Sequence, residues 1–110
     1  MNKAPIQNLD SFDIVGERND GGVDLIVVCS GPLDDSAETQ ALLRGKIQNY
    51  LNTAIHPNFA NVYAAAKDGP VRIVLACQHE ISPVSQATIA ELTEKGGAIG
   101  INITVDSSAL

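Results

Sequence analysis

Two short runs constrain this chain more than anything else in it: "VDLIVVCS" at 23–30 and "VRIVLACQ" at 71–78. Successive side chains of a strand alternate between the two faces of its sheet. Val23, Leu25 and Val27 therefore point one way, and Ile26 and Val28 the other. In the second run Val71, Ile73 and Leu75 oppose Val74 and Ala76. Both segments are apolar on two faces, as central strands of a parallel sheet are. The runs also align from Val to Cys, and each leads to a proline and a helix. Two buried parallel strands look alike for physical reasons, so the echo needs no duplication.

The rest of the chain arranges itself around these runs. "FDIVGERNDGG" opens a β-hairpin, with one strand near 12–17 and the next at 23–29. Its Asn19-Asp20-Gly21-Gly22 turn tolerates positive φ. Apolar residues at Leu43, Ile47, Tyr50, Leu51 and Ala54 recur at helical spacing. Asp35 is the expected N-cap of that helix, with Glu38 completing a capping box. Asp34 and Glu38 also lie where the helix dipole favours negative charge. Capping alone accounts for this cluster of acids. Pro57 ends the helix, and "NFANVYAAAK" suggests a short helical piece with Phe59, Val62, Tyr63 and Ala66 on one face.

The strand at 71–78 is followed by Ser82-Pro83, an N-cap and first-turn proline. Val84, Ala87, Thr88 and Leu92 mark the buried stripe of a second helix, closed by Lys95-Gly96-Gly97. In "IGINITV" at 99–105, Ile99, Ile101, Ile103 and Val105 alternate with Gly100, Asn102, Thr104 and Asp106, a one-sided strand.

Strand–helix–strand units in one sheet form right-handed parallel crossovers. The fold class expected is α/β (α+β): a ββαβαβ two-layer sandwich, with a four-stranded mixed sheet and two main helices. Residues 1–10 form a flexible arm, 11–106 a single domain and 107–110 a frayed tail. With both helices on one face, Ile26, Val28, Val74 and Ala76 on the other need a cover. The 55–69 segment or a second copy of the chain could supply it, and a homodimer is the favoured expectation because symmetric dimers are the commonest assembly.

Charge narrows the partners. Thirteen acidic residues against seven basic ones give a net charge of -6. No Lys/Arg cluster reverses it, which argues against nucleic acid. No apolar run reaches membrane-spanning length, and "MNKAPIQNLD" lacks the apolar core of a signal peptide. Two cysteines make no disulfide framework. A cytoplasmic, reducing setting is expected.

Chemistry has one natural place. Ligands of open α/β sheets bind beyond the carboxyl ends of the parallel strands. Those ends gather Cys29, Ser30, Asp34, Cys77, Gln78, His79 and Glu80 on one rim. Each also has a plain structural reading: a buried thiol, a solvated histidine, a capping acid. A zinc site would want close-spaced Cys pairs, which are absent. His56 precedes Pro57 as a helix-end residue. There is no phosphate loop, dinucleotide fingerprint or nucleophile elbow. Asp13, Glu17 and Asp24 imitate the start of a restriction-type nuclease site, but Val28-Cys29 stands where its lysine belongs. No catalytic residue, metal or cofactor is assigned.

The hairpin, the Leu33-Asp34-Asp35 loop and the helix core Lys46, Ile47, Tyr50, Leu51 resemble a family of small uncharacterised bacterial proteins. The likeness covers residues 12–105 and supports the fold. It departs from the family pattern in having no tryptophan and in residues 56–69, and the family implies no known activity. The function expected is a non-enzymatic binding or assembly module that homodimerises or docks a protein partner. The alternatives are a small ligand- or metal-binding enzyme using the rim, and an acidic immunity or antitoxin-like protein that neutralises a basic partner.

Overall fold

The computed structural model of the protein describes Ile6, residues 12–19 and residues 21–106. The arm and tail expected at the two ends lie outside the described residues, except that Ile6 is buried and belongs to the core.

The four strands are β1 (Ile14–Glu17), β2 (Val23–Val28), β3 (Val71–Ala76) and β4 (Asn102–Asp106). They form one sheet in the order β1-β2-β3-β4. β1 runs antiparallel to β2, and β2, β3 and β4 are mutually parallel. The helices are α1 (Ala37–Ala54), the single turn α2 (Phe59–Val62) and α3 (Pro83–Ala98), with a 3-10 turn at Ala64–Lys67. This is the mixed-sheet sandwich with two main helices that the two apolar runs imply.

The core lies between the sheet and α1 and α3. Leu43, Ile47, Tyr50 and Leu51 from α1 and Ile89 and Leu92 from α3 join Val23, Leu25, Val27, Ile73 and Leu75 in one buried cluster. Each such side chain contributes about 1.5–3 kcal/mol on leaving water.

Local chemistry corrects three sequence expectations. First, the N-cap of α1 is Ser36, whose side chain accepts from the Thr39 N–H, not Asp35. A serine hydroxyl one residue later reaches the first-turn amide, and Asp34 braces that serine. Second, the buried stripe of α3 is Ser85, Thr88, Ile89, Leu92 and Gly96. Thr88 and Leu92 are buried as the spacing predicts, but Val84 and Ala87 are exposed, and Ser85 and Ile89 take the inward positions. Third, Gly96 and Gly97 do not end α3, which runs through them to Ala98. Gly96 is there for contact: a Cβ on it would sit 2.7 Å from the Ile101 carbonyl oxygen. The positive φ that closes the helix belongs to Gly100.

The 55–69 segment packs on the α1 side of the sheet. Phe12 stands edge-on to Tyr50 at 4.7 Å between centroids, and to Phe59 and Tyr63 at 6.3 Å. The Ala65 carbonyl accepts from the Gly22 N–H at 2.7 Å. The segment therefore covers the β1–β2 edge of the core, not Ile26 and Val74.

Candidate functional site

The strand-end rim is built as a brace between two helix starts. Leu33 N–H donates to the Glu80 carbonyl at 3.0 Å, and Ser82 N–H to the Leu33 carbonyl at 2.8 Å. This parallel bridge holds the loops before α1 and α3 side by side. Asp34 Oδ1 accepts from Ser36 N–H (3.0 Å), Ser36 Oγ–H (2.6 Å) and Thr39 Oγ1–H (2.6 Å). Ser85 Oγ, at the start of α3, donates to the Asp34 carbonyl at 2.7 Å. The Ser36 hydroxyl and the other donors hold the Asp34 carboxyl below the usual carboxylate range. Such a carboxylate stays ionised and its Oδ1 lone pairs are engaged, which makes it a poor general base.

The structure gathers the rim residues but divides them by exposure. Ser30, Asp34, Gln78, His79 and Glu80 are exposed. Cys29 and Cys77 are each 1 % exposed and belong to the core. The β2–β3 register continues to place the two thiols side by side on the helix-facing surface. Cys77 Sγ–H donates to the His79 carbonyl at 3.6 Å, so the imidazole takes no part. Burial first, then the neighbouring Cys77, pushes the Cys29 thiol well above its ordinary range. A thiol held neutral is a packing group, not a nucleophile. A shallow cleft of about 250 Å³ between the helix starts is lined by Asp34, Asp35 and Glu80 with two prolines. Three acids at that mouth work against the anion affinity two helix N-termini would otherwise give. Among the described residues no three of His, Cys, Asp and Glu stand where they could share a metal ion.

The second face of the sheet is organised differently. Register places Ile14, Ile26, Val74 and Thr104 in one row across all four strands. Ile14 is 47 % exposed, and Ile26, Val28 and Val74 are half-buried. Ala76 belongs to the same face by alternation but is fully buried, so it offers no surface. The next row carries Asp24 beside Arg72. Arg72 Nε and Nη2 donate to the two Asp24 oxygens at 2.8 and 2.9 Å, and Arg18 makes a further ion pair with the same carboxylate. The Arg72 bond first, with the Arg18 bond and both charges adding to it, lowers the Asp24 carboxyl below its ordinary 3.8. A carboxyl whose folded pKa is depressed stabilises the fold above its unfolded pKa and loses that effect as pH falls through the folded one. The melting temperature is expected to fall as pH drops from about 5 to below 3.8, and Asp24→Asn should flatten that acid limb. Melts at stepped pH check it, and an unchanged slope in the variant would contradict the assignment.

Sequence reasoning missed a buried polar centre on the helix side. Lys46 of α1 is fully enclosed, and its Nζ donates to Asp13 Oδ1 at 2.8 Å. Asp13 Oδ2 accepts from the Val28 N–H at 2.9 Å. Tyr50 Oη accepts from the Asp13 N–H at 2.9 Å and donates to the Ile26 carbonyl at 3.4 Å. The Lys46 ammonium also lies 5.3 Å from the Tyr50 ring centroid. Burial pushes the Tyr50 hydroxyl up to about 12, so it serves as a neutral bridging group. The signal was present: Lys46 stands within the apolar stripe Leu43, Ile47, Tyr50. The nuclease-like trio is also dispersed, because Asp13 serves the core while Asp24 is clamped by arginines on the opposite face.

No family model matches the chain, and comparison with curated proteins and with solved structures gave no match. Among the described residues no helix is long and apolar enough to cross a membrane.

Proposed function

We propose that this protein is a non-enzymatic association module whose working surface is the second sheet face, and that a second copy of the chain is the occupant. The observation that carries this is the apolar row of exposed Ile14 with half-buried Ile26 and Val74, and Val28 beside it. Neither main helix nor the 55–69 segment packs on that face. Its charges balance: Asp24 is paired with Arg72 and Arg18, and Asp106, on the same face by alternation, brings the count to two acids and two bases, against a net charge of -6 for the chain. Like-charged copies would repel through most of their surface, and this face is where that repulsion is locally cancelled. A basic partner of the immunity or antitoxin kind would be better served by an acidic face, so the charge balance favours self-association.

The rim enzyme is the weaker reading. Its thiols are buried, its acid is committed to the α1 cap, and its histidine is an exposed loop residue.

Light scattering across a concentration series tests the proposal. The mass is expected to rise above that of one chain, and Ile26→Asp is expected to lower it by burying an unpaired charge in the contact. A mass that stays at one chain at high concentration, or that Ile26→Asp leaves unchanged, overturns it.

A further inference from the structure

We infer that β4 is a second self-association element, pairing antiparallel with β4 of another copy to join two sheets into one. The inference extends the association reading but rests on different residues. β4 is the last strand of the sheet, and among the described residues no strand pairs with its outer edge. An open edge is a template for another strand, and proteins that must avoid this protect it with lysine, proline, a bulge or a short strand. Asn102–Asp106, "NITVD", contains neither lysine nor proline, and its pairing with β3 is regular from Asn102 to Asp106.

The backbone shows which groups are on offer. The Asp106 carbonyl accepts from the Cys77 N–H of the β3 side. Alternation then turns Asn102, Thr104 and Asp106 toward β3, and the N–H and C=O of Ile103 and Val105 toward the open edge.

The strand is complementary to itself. A two-fold axis through Thr104 sets Ile103 against the partner's Val105, Thr104 against the partner's Thr104, and Asn102 against the partner's Asp106. The outward groups of Ile103 and Val105 then form two hydrogen-bonded pairs, about four bonds in all. Their side chains meet on the helix-facing surface, where β-branched pairs stabilise a sheet. The two aspartates are kept apart, each facing an amide.

The neighbourhood fits the same partner. Val105 is 43 % exposed although it points to the core side. It floors an apolar depression of about 360 Å³ with Ile81, Ile89 and Ala90. The paired edge would cover that depression. The wall formed by α3 over β4 is about 24 Å long, from 16 residues at 1.5 Å each, and roughly 20 Å high with the sheet layer. Two such walls bury about 960 Å², close to the ~1,000 Å² that a specific interface needs. Joining sheets through β4 also doubles the apolar face that the pair presents.

The test is a cysteine placed on the axis. Non-hydrogen-bonded antiparallel neighbours have Cα atoms about 4.5 Å apart, within disulfide range. With oxidised glutathione as oxidant, Thr104→Cys is expected to give a two-chain species on a non-reducing gel. Each new bond takes two thiols and releases two glutathione thiols. Asn102→Cys, whose neighbour would be the partner's Asp106, should give none. Adding Val105→Pro to Thr104→Cys should abolish the cross-link, because proline removes an outward N–H that the monomer does not use. Adding Ile26→Asp should leave it intact. Equal cross-linking of Thr104→Cys and Asn102→Cys, or persistence with Val105→Pro, overturns the edge pairing. Failure of the face reading shows separately, as an unchanged mass in Ile26→Asp alone.

Discussion

Lys46→Ala is expected to lower folding stability by about 3–5 kcal/mol, the cost of stripping one partner from a buried ion pair. The magnitude follows from enclosure. Lys46 has no solvent contact, and the Asp13 side chain is only 13 % exposed. Removing the ammonium leaves a carboxylate with a single remaining backbone donor, the Val28 N–H, and opens a cavity under α1. Most of the loss comes from the stranded charge and not from the strength of the pair itself. A double variant separates the two. Lys46→Met with Asp13→Asn keeps the volume, keeps an oxygen for the Val28 N–H and removes both charges. It is expected to recover most of the stability, since well-packed apolar replacements of buried pairs are often neutral. Urea unfolding with unchanged m-values measures both. A loss below about 1 kcal/mol in Lys46→Ala would mean that the ammonium is solvated.

Gly22→Ala is expected to cost about 2–4 kcal/mol, combining backbone strain with overpacking. Gly22 has φ +100 and would place a Cβ 2.5 Å from the Pro70 carbonyl oxygen. Its N–H also holds the Ala65 carbonyl, and Val23 N–H donates to Pro70. The residue therefore pins the hairpin, the 3-10 turn and the start of β3 at one point. Two other glycines serve as controls. Gly100 has φ +80 but open space around it, so Gly100→Ala should show the conformational part alone, about 1 kcal/mol. Gly31 has neither constraint. Gly31→Ala should be neutral or slightly stabilising, by less than about 1 kcal/mol, because it restricts the unfolded chain. Thermal melts of the three variants should rank in that order. A Gly22→Ala no worse than Gly100→Ala would mean that the Pro70 contact relaxes freely.

The residues whose role was legible in sequence share one property: it follows from alternation or from helical spacing. Val23, Leu25, Val27, Ile73 and Leu75 were assigned to the core by period alone, and Leu43, Ile47, Tyr50 and Leu51 likewise. Ser82 and Pro83 mark a helix start in sequence because capping is a local interaction. Where local signals compete, sequence does not single out one residue. Asp34, Asp35 and Ser36 can each cap a helix, and the bond from Ser85 to the Asp34 carbonyl ties this loop to a residue 51 positions away.

The candidate site shows the same division. The rim residues do gather at the strand ends, as strand topology requires. Their chemistry was not legible, because it depends on which side of the sheet the thiols face and on how the Asp34 lone pairs are used. The Asp13–Lys46 pair escaped for a similar reason. Its members lie 33 residues apart, and nothing local to either announces the other.

Sequence alone determined the class of this protein: two strands apolar above and below, joined through helices, can only lie side by side inside a mixed sheet with helices on it. Tertiary structure decided which side of the sheet the 55–69 segment covers. The 55–69 segment had the composition to cover either side, and the aromatic contacts of Phe12 with Tyr50, Phe59 and Tyr63 drew it to the helix side. Burial of an irregular segment follows the contacts offered at long range, and no period within the segment encodes them.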